Sequence, residues 1–194
     1  RGGETFGFDT GPGNCLMDLA ARRLSGGRLA YDRGGALALR GRPDEARVGV
    51  LLRLPFFSRR PPKSLDRSQF GAGFLARHFP ARGKRPEDLM ATVTYFTALT
   101  IADAYRRFVF PRVRVREAVL SGGGSLNCAL VSYLRRLLHS LPVRIISDFG
   151  IALLAKEPAA MALMAALAIE GRINHCPKAT GARGARILGK ITPA

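Results

Sequence analysis

The stretch GFDTGPGN, residues 7–14, places a single carboxylate between a short apolar run and a glycine-rich turn. Its Asp-Thr-Gly triplet, which begins at Asp9, is the active-site signature of aspartic proteases. Those enzymes need two carboxylates that share a proton, each on a loop of an all-β fold. The triplet occurs once here, and residues 12–14 lead into a predicted helix, so a homodimer with two copies would still have the wrong fold. We therefore reject the protease hypothesis.

Two roles remain for Asp9. A carboxylate at the end of a strand, facing a glycine-rich turn, can orient or deprotonate a nucleophile beside a phosphate. Alternatively, its carboxylate accepts hydrogen bonds from nearby backbone amides and only shapes the turn. The spacing of the residues leaves both roles open.

A second glycine loop, SGGGSLN at residues 121–127, follows a predicted strand and opens a predicted helix. Glycine lets the backbone approach a ligand, and a helix N-terminus attracts an anion. The loop matches neither G-x-G-x-x-G nor the Walker P-loop, because no GK[ST] follows. An anion-binding loop and a bare turn are both compatible with these residues.

The elements around these loops alternate, which predicts an α/β protein. The run 48–54 fits helix or strand, and the tail is predicted as a glycine-punctuated loop with a short strand. The other predicted elements are a strand at 5–8, a helix capped by Asn14 and reaching Leu24, a helix at 86–108, a strand at 116–120, a helix after the second glycine loop, a strand at 143–147 and a closely packed helix at 155–169.

The net charge of +17 invites a nucleic-acid hypothesis, which we discount. Nearly all the basic residues are arginines, they are scattered, and no RNA-binding motif with interleaved aromatics is present. No apolar stretch of about 18 residues predicts a membrane span. Cys15, Cys128 and Cys176 are far apart and form no C-x-x-C pair, which is typical of reduced thiols in a cytoplasmic protein.

Seven segments carry a resemblance to a known family. In motif and order, GFDTGPGN, YDRGG, FFSRRPPKS, DLMATVTYFTALTIADA, SGGGSLN, AKEPAAMALMAALA and NHCPKATGA resemble the 1,6-anhydro-N-acetylmuramic acid kinases. That resemblance, over residues 1–194, implies an actin-like ATPase (ribonuclease H-like) lobe with a mixed sheet flanked by helices. The G-x-M-S-G-T-S phosphate loop of such kinases is missing, so we expect the C-terminal part, mostly the second lobe with part of the cleft.

The resemblance also implies a reaction. Such kinases use ATP and Mg²⁺, add water at the anomeric carbon, open the 1,6-anhydro bridge and phosphorylate O6. The product is N-acetylmuramic acid 6-phosphate, an intermediate of peptidoglycan recycling. Asp9 matches the catalytic base of the family, which takes a proton from the attacking water.

The other site residues are implied in the same way. Gly122, Gly123, Gly124 and Asn127 match the second nucleotide-contacting loop. The resemblance places the substrate beside Gly11, Gly13, Asn14, Glu157 and Lys63, and it gives no metal-ligating residue in this chain. It further implies a cytoplasmic homodimer that acts on a small molecule, without nucleic acid or membrane.

Several of these residues have simpler explanations. The PPKS loop is expected to present Lys63, which fits a sugar carboxylate, a phosphate or an ordinary exposed lysine. Glu157 also suits the first turn of a helix, where the helix dipole favours a carboxylate. Residues 180–182 match a family element that we expect to be structural, with a place along the cleft as the alternative.

The chain departs from the family after PPKS, where Asp66 replaces a glycine and Ser68 a glutamate, and again at Pro158, which requires the helix to start there. These changes indicate drift or altered specificity. An alternative hypothesis is a degenerate relative that binds a nucleotide or sugar without turnover. A basic module that binds an anionic polymer is a third. Without the first phosphate loop, we expect weak or no activity from this chain alone.

Overall fold

The computed structural model describes residues 5–192 of the chain, a mixed α/β arrangement in which helices outnumber strands. The helices are α1 (Asn14–Leu24), α2 (Glu45–Leu51), α3 (Pro55–Ser58), α4 (Ala72–His78), α5 (Pro86–Ala104), α6 (Cys128–Leu137), α7 (Lys156–Ile169) and α8 (Pro177–Thr180). Turns of 3₁₀ helix lie at Arg33–Gly35, Ala38–Arg40, Arg67–Phe70, Gly123–Leu126 and Ile146–Phe149.

The two strands, β1 (Ala118–Leu120) and β2 (Val143–Ile145), pair in parallel with Ala118 opposite Val143. Helix α6 lies between them in the chain, as expected for parallel neighbours, which need a long crossover connection. The predictions of both strands, of the helix between them and of an α/β protein are confirmed. Both strands are shorter than the sequence predicted.

The predicted strand at residues 5–8 is wrong. A strand requires a ladder of backbone hydrogen bonds, whereas the described residues give this run one bond at its end, from the Asp9 amide to the Lys63 carbonyl at 2.9 Å. The apolar side chains form aromatic contacts, with Phe8 edge-on against Phe108 at a centroid distance of 5.9 Å. The short strand predicted in the tail is also wrong, since irregular chain follows α8 up to residue 192.

Helix α5 is the centre of the packing. It begins as predicted at Pro86, whose missing N–H suits a first turn, and it carries Glu87 and Asp88 where the helix dipole favours acids. The regular helix ends at Ala104, before the predicted end, and continues as one π-helical turn over Tyr105–Val109. Nearly its whole circumference is buried, and it packs against α1, α2 and α6.

Phe96 on α5 lies within a cluster of aromatic rings. Its ring centroid is 5.8 Å from that of Phe57, 5.7 Å from Phe79, 6.1 Å from Phe74 and 6.2 Å from Phe70. Burying a phenylalanine side chain contributes about 1.5–3 kcal/mol. The cluster therefore fixes α3, which carries Phe57, and α4, which carries Phe74, against α5.

The apolar run 48–54, which fits helix or strand from sequence, is the end of α2 and the turn after it. The Asp44 carboxylate caps the helix by accepting a hydrogen bond from the Arg47 amide at 3.1 Å. That bond, together with the Lys84 ammonium 3.1 Å from the carboxylate, lowers the pKa of Asp44. The capped N-terminus stabilises α2, so the run is helical and not a strand.

Helix α7 forms as predicted, and the start at Lys156 accommodates Pro158 in the first turn. The prediction that it packs closely is wrong, because none of its residues is buried. Met161 is 65% exposed, Leu163 61% and Ile169 76%. Within residues 5–192, no helix is long and apolar enough to span a membrane.

Two threonines on α5 give a matched test of this core. Thr94 and Thr97 are both fully buried, but the Thr97 hydroxyl donates to the Gly13 carbonyl at 3.1 Å, whereas the Thr94 hydroxyl has no partner among the described residues. We expect Thr97→Val to lower the free energy of unfolding by about 1 kcal/mol and Thr94→Val to leave it unchanged or raise it. Urea denaturation measures both, and equal losses would contradict the assignment.

Candidate functional site

Asp9 is held from two sides by the PPKS loop. Its amide donates to the Lys63 carbonyl at 2.9 Å, and its Oδ2 accepts a hydrogen bond from the Leu65 amide at 2.7 Å. We call this pair of bonds the Asp9 clamp. The Asp9 side chain is nevertheless exposed. The backbone donor lies in a distant loop and not in the turn after Asp9, so this bond differs from the turn-shaping bond proposed as the alternative. The exposed carboxylate stays open to a ligand, as the catalytic role requires.

The glycine turn after Asp9 rests directly on α5. A Cβ at Gly11 would lie 2.5 Å from the Thr100 Oγ1, so only glycine fits against that side chain. Gly13 has a φ of 55°, and its carbonyl accepts the Thr97 hydroxyl. The position of the turn is thus set by two threonines of the buried helix.

Asn14 does not cap α1, contrary to the prediction. The cap position belongs to Gly13, which makes no side-chain cap bond, and Asn14 is the first residue of the helix. Its side chain lies against the second glycine loop, because a Cβ at Gly124 would be 2.8 Å from the Asn14 Oδ1. The structure therefore brings the two glycine loops together through this asparagine.

The second glycine loop has the predicted strand–loop–helix context. Gly122, at a φ of 77°, turns the chain into a 3₁₀ turn, where the Ser125 hydroxyl donates to the Gly122 carbonyl at 2.7 Å. The Asn127 Oδ1 then caps α6 by accepting from the Leu130 amide at 3.0 Å. The loop conformation is fixed by its own hydrogen bonds.

A cavity of about 490 Å³ lies where these segments meet. It is lined by Asn14, Met17, Asp18, Tyr31, Asp32, Arg33, Gly34, Gly123, Gly124, Leu126, Asn127 and Leu154. Of the predicted site residues, the structure thus gathers Asn14, Gly123, Gly124 and Asn127, while Gly11, Gly13 and Gly122 are outside the lining.

The segment YDRGG, residues 31–35, forms one wall of the cavity, although no residue in it was predicted to belong to a site. The sequence did offer one indication, since YDRGG is among the seven segments that carry the family resemblance. The buried Asp32 carboxylate holds the wall in shape by accepting from the Leu37 amide at 2.9 Å and the Ala38 amide at 3.0 Å. Gly35, at a φ of 74°, packs against Asn127 with no room for a side chain.

Asp18 is a second lining residue that sequence reasoning missed. It follows Asn14 by one helical turn, so both side chains face the same side of α1. Partial burial raises the pKa of its carboxyl group, and the positive charge of Arg22 opposes that shift. Met17, Leu126 and Leu154 supply apolar surface to the same cavity. The lining therefore combines apolar contacts with a few polar groups, as ligand cavities generally do.

The prediction that the PPKS loop presents Lys63 is wrong, because the residue is only 4% exposed. Its Nζ donates to the carbonyls of Phe56 at 3.1 Å and Phe57 at 3.4 Å. The same atom lies 4.6 Å from the ring centroid of Phe56 and 4.7 Å from that of Phe108. This burial lowers the pKa of Lys63. A substrate contact through its ammonium stays a prediction, against which the burial counts.

Glu157 lies apart from the cavity. It occupies the first turn of α7, with an exposed side chain 3.7 Å from the Lys156 ammonium, which fits the helix-dipole explanation. From this part of the chain, Leu154, two residues before the helix, lines the cavity. Residues 180–182 pack on the PPKS loop, since a Cβ at Gly181 would lie 3.5 Å from Pro62.

The described residues contain no group of three or more His, Cys, Asp or Glu side chains placed to hold a metal ion. Mg²⁺ usually binds one or two carboxylates together with the phosphates of a nucleotide, so it needs no such group. Asp18 and Asp32 are the two carboxylates in the lining of the cavity.

Comparison with known proteins gives one consistent result. The sequence profile of the anhydro-N-acetylmuramic acid kinases matches residues 1–194. Curated proteins of that name from Caldanaerobacter subterraneus subsp. tengcongensis, Streptomyces avermitilis and Bacillus cereus (strain B4264) are 37%, 41% and 40% identical to it, over 97%, 96% and 97% of this chain. The matched regions are 48%, 47% and 49% of those proteins, so the chain spans about half their length.

Asn127 offers a test of how the second glycine loop is built. Asn127→Ala removes the cap of α6 and is expected to lower the free energy of unfolding by about 1 kcal/mol. Asn127→Asp keeps the accepting oxygen and should not. Gln69→Ala, at an exposed amide side chain, is the control. Chemical denaturation measures the free energy of unfolding of each variant. An equal loss for Asn127→Asp and Asn127→Ala would contradict the capping role.

Proposed function

The chain belongs to the anhydro-N-acetylmuramic acid kinase family, and we propose that it supplies the catalytic base and a nucleotide-binding wall of such a kinase. The reaction opens 1,6-anhydro-N-acetylmuramic acid with water and phosphorylates O6 with ATP, giving N-acetylmuramic acid 6-phosphate. The observation that carries the proposal is the exposed Asp9 carboxylate, fixed by the clamp beside a glycine turn.

Asp9 acts as the general base of this reaction. Its carboxylate takes a proton from water while the water oxygen bonds to the anomeric carbon, and the bond from that carbon to O6 breaks. O6 then bonds to the γ-phosphorus of ATP, and ADP leaves. A base held by a backbone amide is already oriented, and Gly13, where a Cβ would meet nothing within 4 Å, leaves space beside it for substrate.

The cavity between the glycine loops is the ATP site. Its volume of about 490 Å³ is in the range of small-ligand sites, and it offers both apolar surface and polar groups. Met17, Leu126 and Leu154 would contact the adenine, and the backbone of Gly123 and Gly124 and the Asn127 side chain would contact the ribose or the phosphates. Gly122 is proposed as a nucleotide contact from the family resemblance alone. The glycines let these groups approach closely.

The sugar would lie on the Asp9 side of Asn14, in contact with Gly11 and Gly13. Glu157 is proposed as a substrate contact from the family resemblance alone. The length that the curated relatives have beyond this chain would supply the first phosphate loop, which holds the ATP phosphates and Mg²⁺ during transfer. We expect the chain by itself to bind nucleotide but to catalyse the reaction weakly or not at all.

The β-α-β unit and the glycine loops support an actin-like lobe, the second of two, with the glycine loops on its cleft face. We extend the proposal to a homodimer in the cytoplasm, with a small-molecule substrate and no nucleic-acid or membrane partner. The scattered arginines favour solubility over a nucleic-acid surface.

The activity test uses a chimera in which this chain replaces the matching half of the Caldanaerobacter relative. With 1,6-anhydro-N-acetylmuramic acid, ATP and Mg²⁺, coupled ADP release is expected, and Asp9→Asn should lower kcat by about 10²- to 10⁴-fold, since the base is lost. Asp66→Asn, on an exposed acid nearby, is the control. A folded chimera that binds both ligands without turnover would favour the degenerate binding relative.

The nucleotide site is tested on the chain as it is. Asn127→Asp places a carboxylate in the cavity without removing the cap, so ATP affinity should fall about tenfold or more while the melting temperature holds. Gln69→Glu makes the same amide-to-acid change on the surface and should leave affinity unchanged. Isothermal titration calorimetry measures the ATP affinity of all three proteins. Equal affinities for the parent chain and both variants would contradict the assignment.

A further inference from the structure

The buried Lys63 lies near Asp9 and has no part in the reaction. Its side chain is 4% exposed, and within residues 5–192 no carboxylate comes within 4.0 Å of its ammonium. A buried charge without an ion-pair partner normally costs stability. The described surroundings compensate it with two carbonyl groups and the faces of aromatic rings, and the more distant Asp103 carboxylate adds a favourable charge.

These contacts connect two parts of the molecule. The ammonium binds the carbonyls of Phe56 and Phe57 in α3, which the Phe57 ring fixes to the core beneath Phe96. The backbone of the same lysine accepts the Asp9 amide at 2.9 Å. Lys63 therefore ties α3 to the loop that holds the carboxylate.

The second bond of the clamp depends on the same residue. Leu65, which donates to the Asp9 Oδ2 at 2.7 Å, follows Lys63 in the chain by two residues, and Ser64 between them is exposed. The Leu65 side chain also packs, partly buried, against the hydrophobic core, so the loop is held in the interior at both residues. Lys63 is the more deeply buried of the two, and its movement would displace its own carbonyl and disturb the Leu65 amide two residues away.

We propose that Lys63 is a positioning residue, whose buried ammonium fixes the PPKS loop so that the Lys63 carbonyl and the Leu65 amide hold the Asp9 carboxylate in place. The proposal rests on the proposed function only where it gives Asp9 the role of base. It differs from the substrate contact implied by the family resemblance, because a buried ammonium that donates to two carbonyls is not offered to a ligand.

The clamp can be observed directly by NMR on this chain. The Leu65 amide donates to a carboxylate, so its proton shift should move when acid titrates that group. Lys63→Met should abolish this movement, as should Asp9→Asn, which removes the titrating group. Lys178→Met, on an exposed lysine of α8 beside the same loop, should leave it intact. A folded Lys63→Met protein with an unchanged Leu65 titration would overturn the proposal.

A second measurement needs no variant, in case Lys63→Met does not fold. In protein labelled with ¹⁵N-lysine, the Lys63 ammonium protons should exchange with water far more slowly than those of Lys178, since two carbonyls and three rings enclose them. Equal exchange rates for the two ammonium groups would overturn the proposal by showing that Lys63 is open to solvent.

Kinetics of the chimera then separate the two proposals. Lys63→Met should lower kcat at least tenfold with the KM for ATP unchanged, because Lys63 does not line the nucleotide cavity. If NMR shows the clamp and the chimera keeps its activity with Asp9→Asn, the base assignment is wrong and the positioning role stands. Loss of the clamp with no change in kcat would sink the positioning role alone.

Discussion

The burial of α5 on nearly all sides is the constraint on which the rest of this molecule depends. Polar side chains of a helix in that position find partners inside the protein. The Thr97 hydroxyl does so at the first glycine turn, and the Thr100 hydroxyl donates to the Thr97 carbonyl within the helix. Thr97 donates to the Gly13 carbonyl, and Thr100 leaves room for nothing larger than Gly11. The turn that follows Asp9 is thus fixed by the core itself, and its geometry is as rigid as the helix beneath it.

Two further contacts extend that rigidity to the candidate site. The PPKS loop holds Asp9 through backbone groups, and Asn14 lies against Gly124, which joins the first glycine turn to the second. The second loop is in turn fixed by the Asn127 cap. Sites in which supporting groups lock the functional ones need little reorganisation when a ligand arrives. The arrangement is therefore suited to catalysis by positioning, which phosphoryl transfer requires.

The sequence predicted best the elements that local rules determine. Pro86 with two acids after it marked the start of α5, and the glycine loop before Asn127 marked that of α6. These signals act within one or two turns, so they do not depend on distant chain. The Asp9 role and the ATP contacts stay predictions, because they came from family resemblance and no ligand contact tests them.

The failures concern interactions between distant segments. Residues 5–8 have the composition of a strand, yet a strand exists only where another pairs with it. Lysine in a proline-rich loop is normally exposed, and the burial of Lys63 depends on Phe56, seven residues before it, and on the distant Phe108. Helix α7 was predicted to pack closely because it is rich in alanine, but composition does not specify a partner.

That last helix has a consequence for how the protein behaves in solution. Residues such as Met161, Leu163 and Ile169 offer water an apolar surface on a molecule that carries a net charge of +17. At low ionic strength, like charge keeps copies apart over a Debye length of about 30 Å at 0.01 M salt, which shrinks to about 8 Å at physiological strength. High salt, which is commonly used to purify basic proteins, would therefore promote association of this chain. Screening of the charge lets the exposed apolar surfaces of α7 on different copies come into contact.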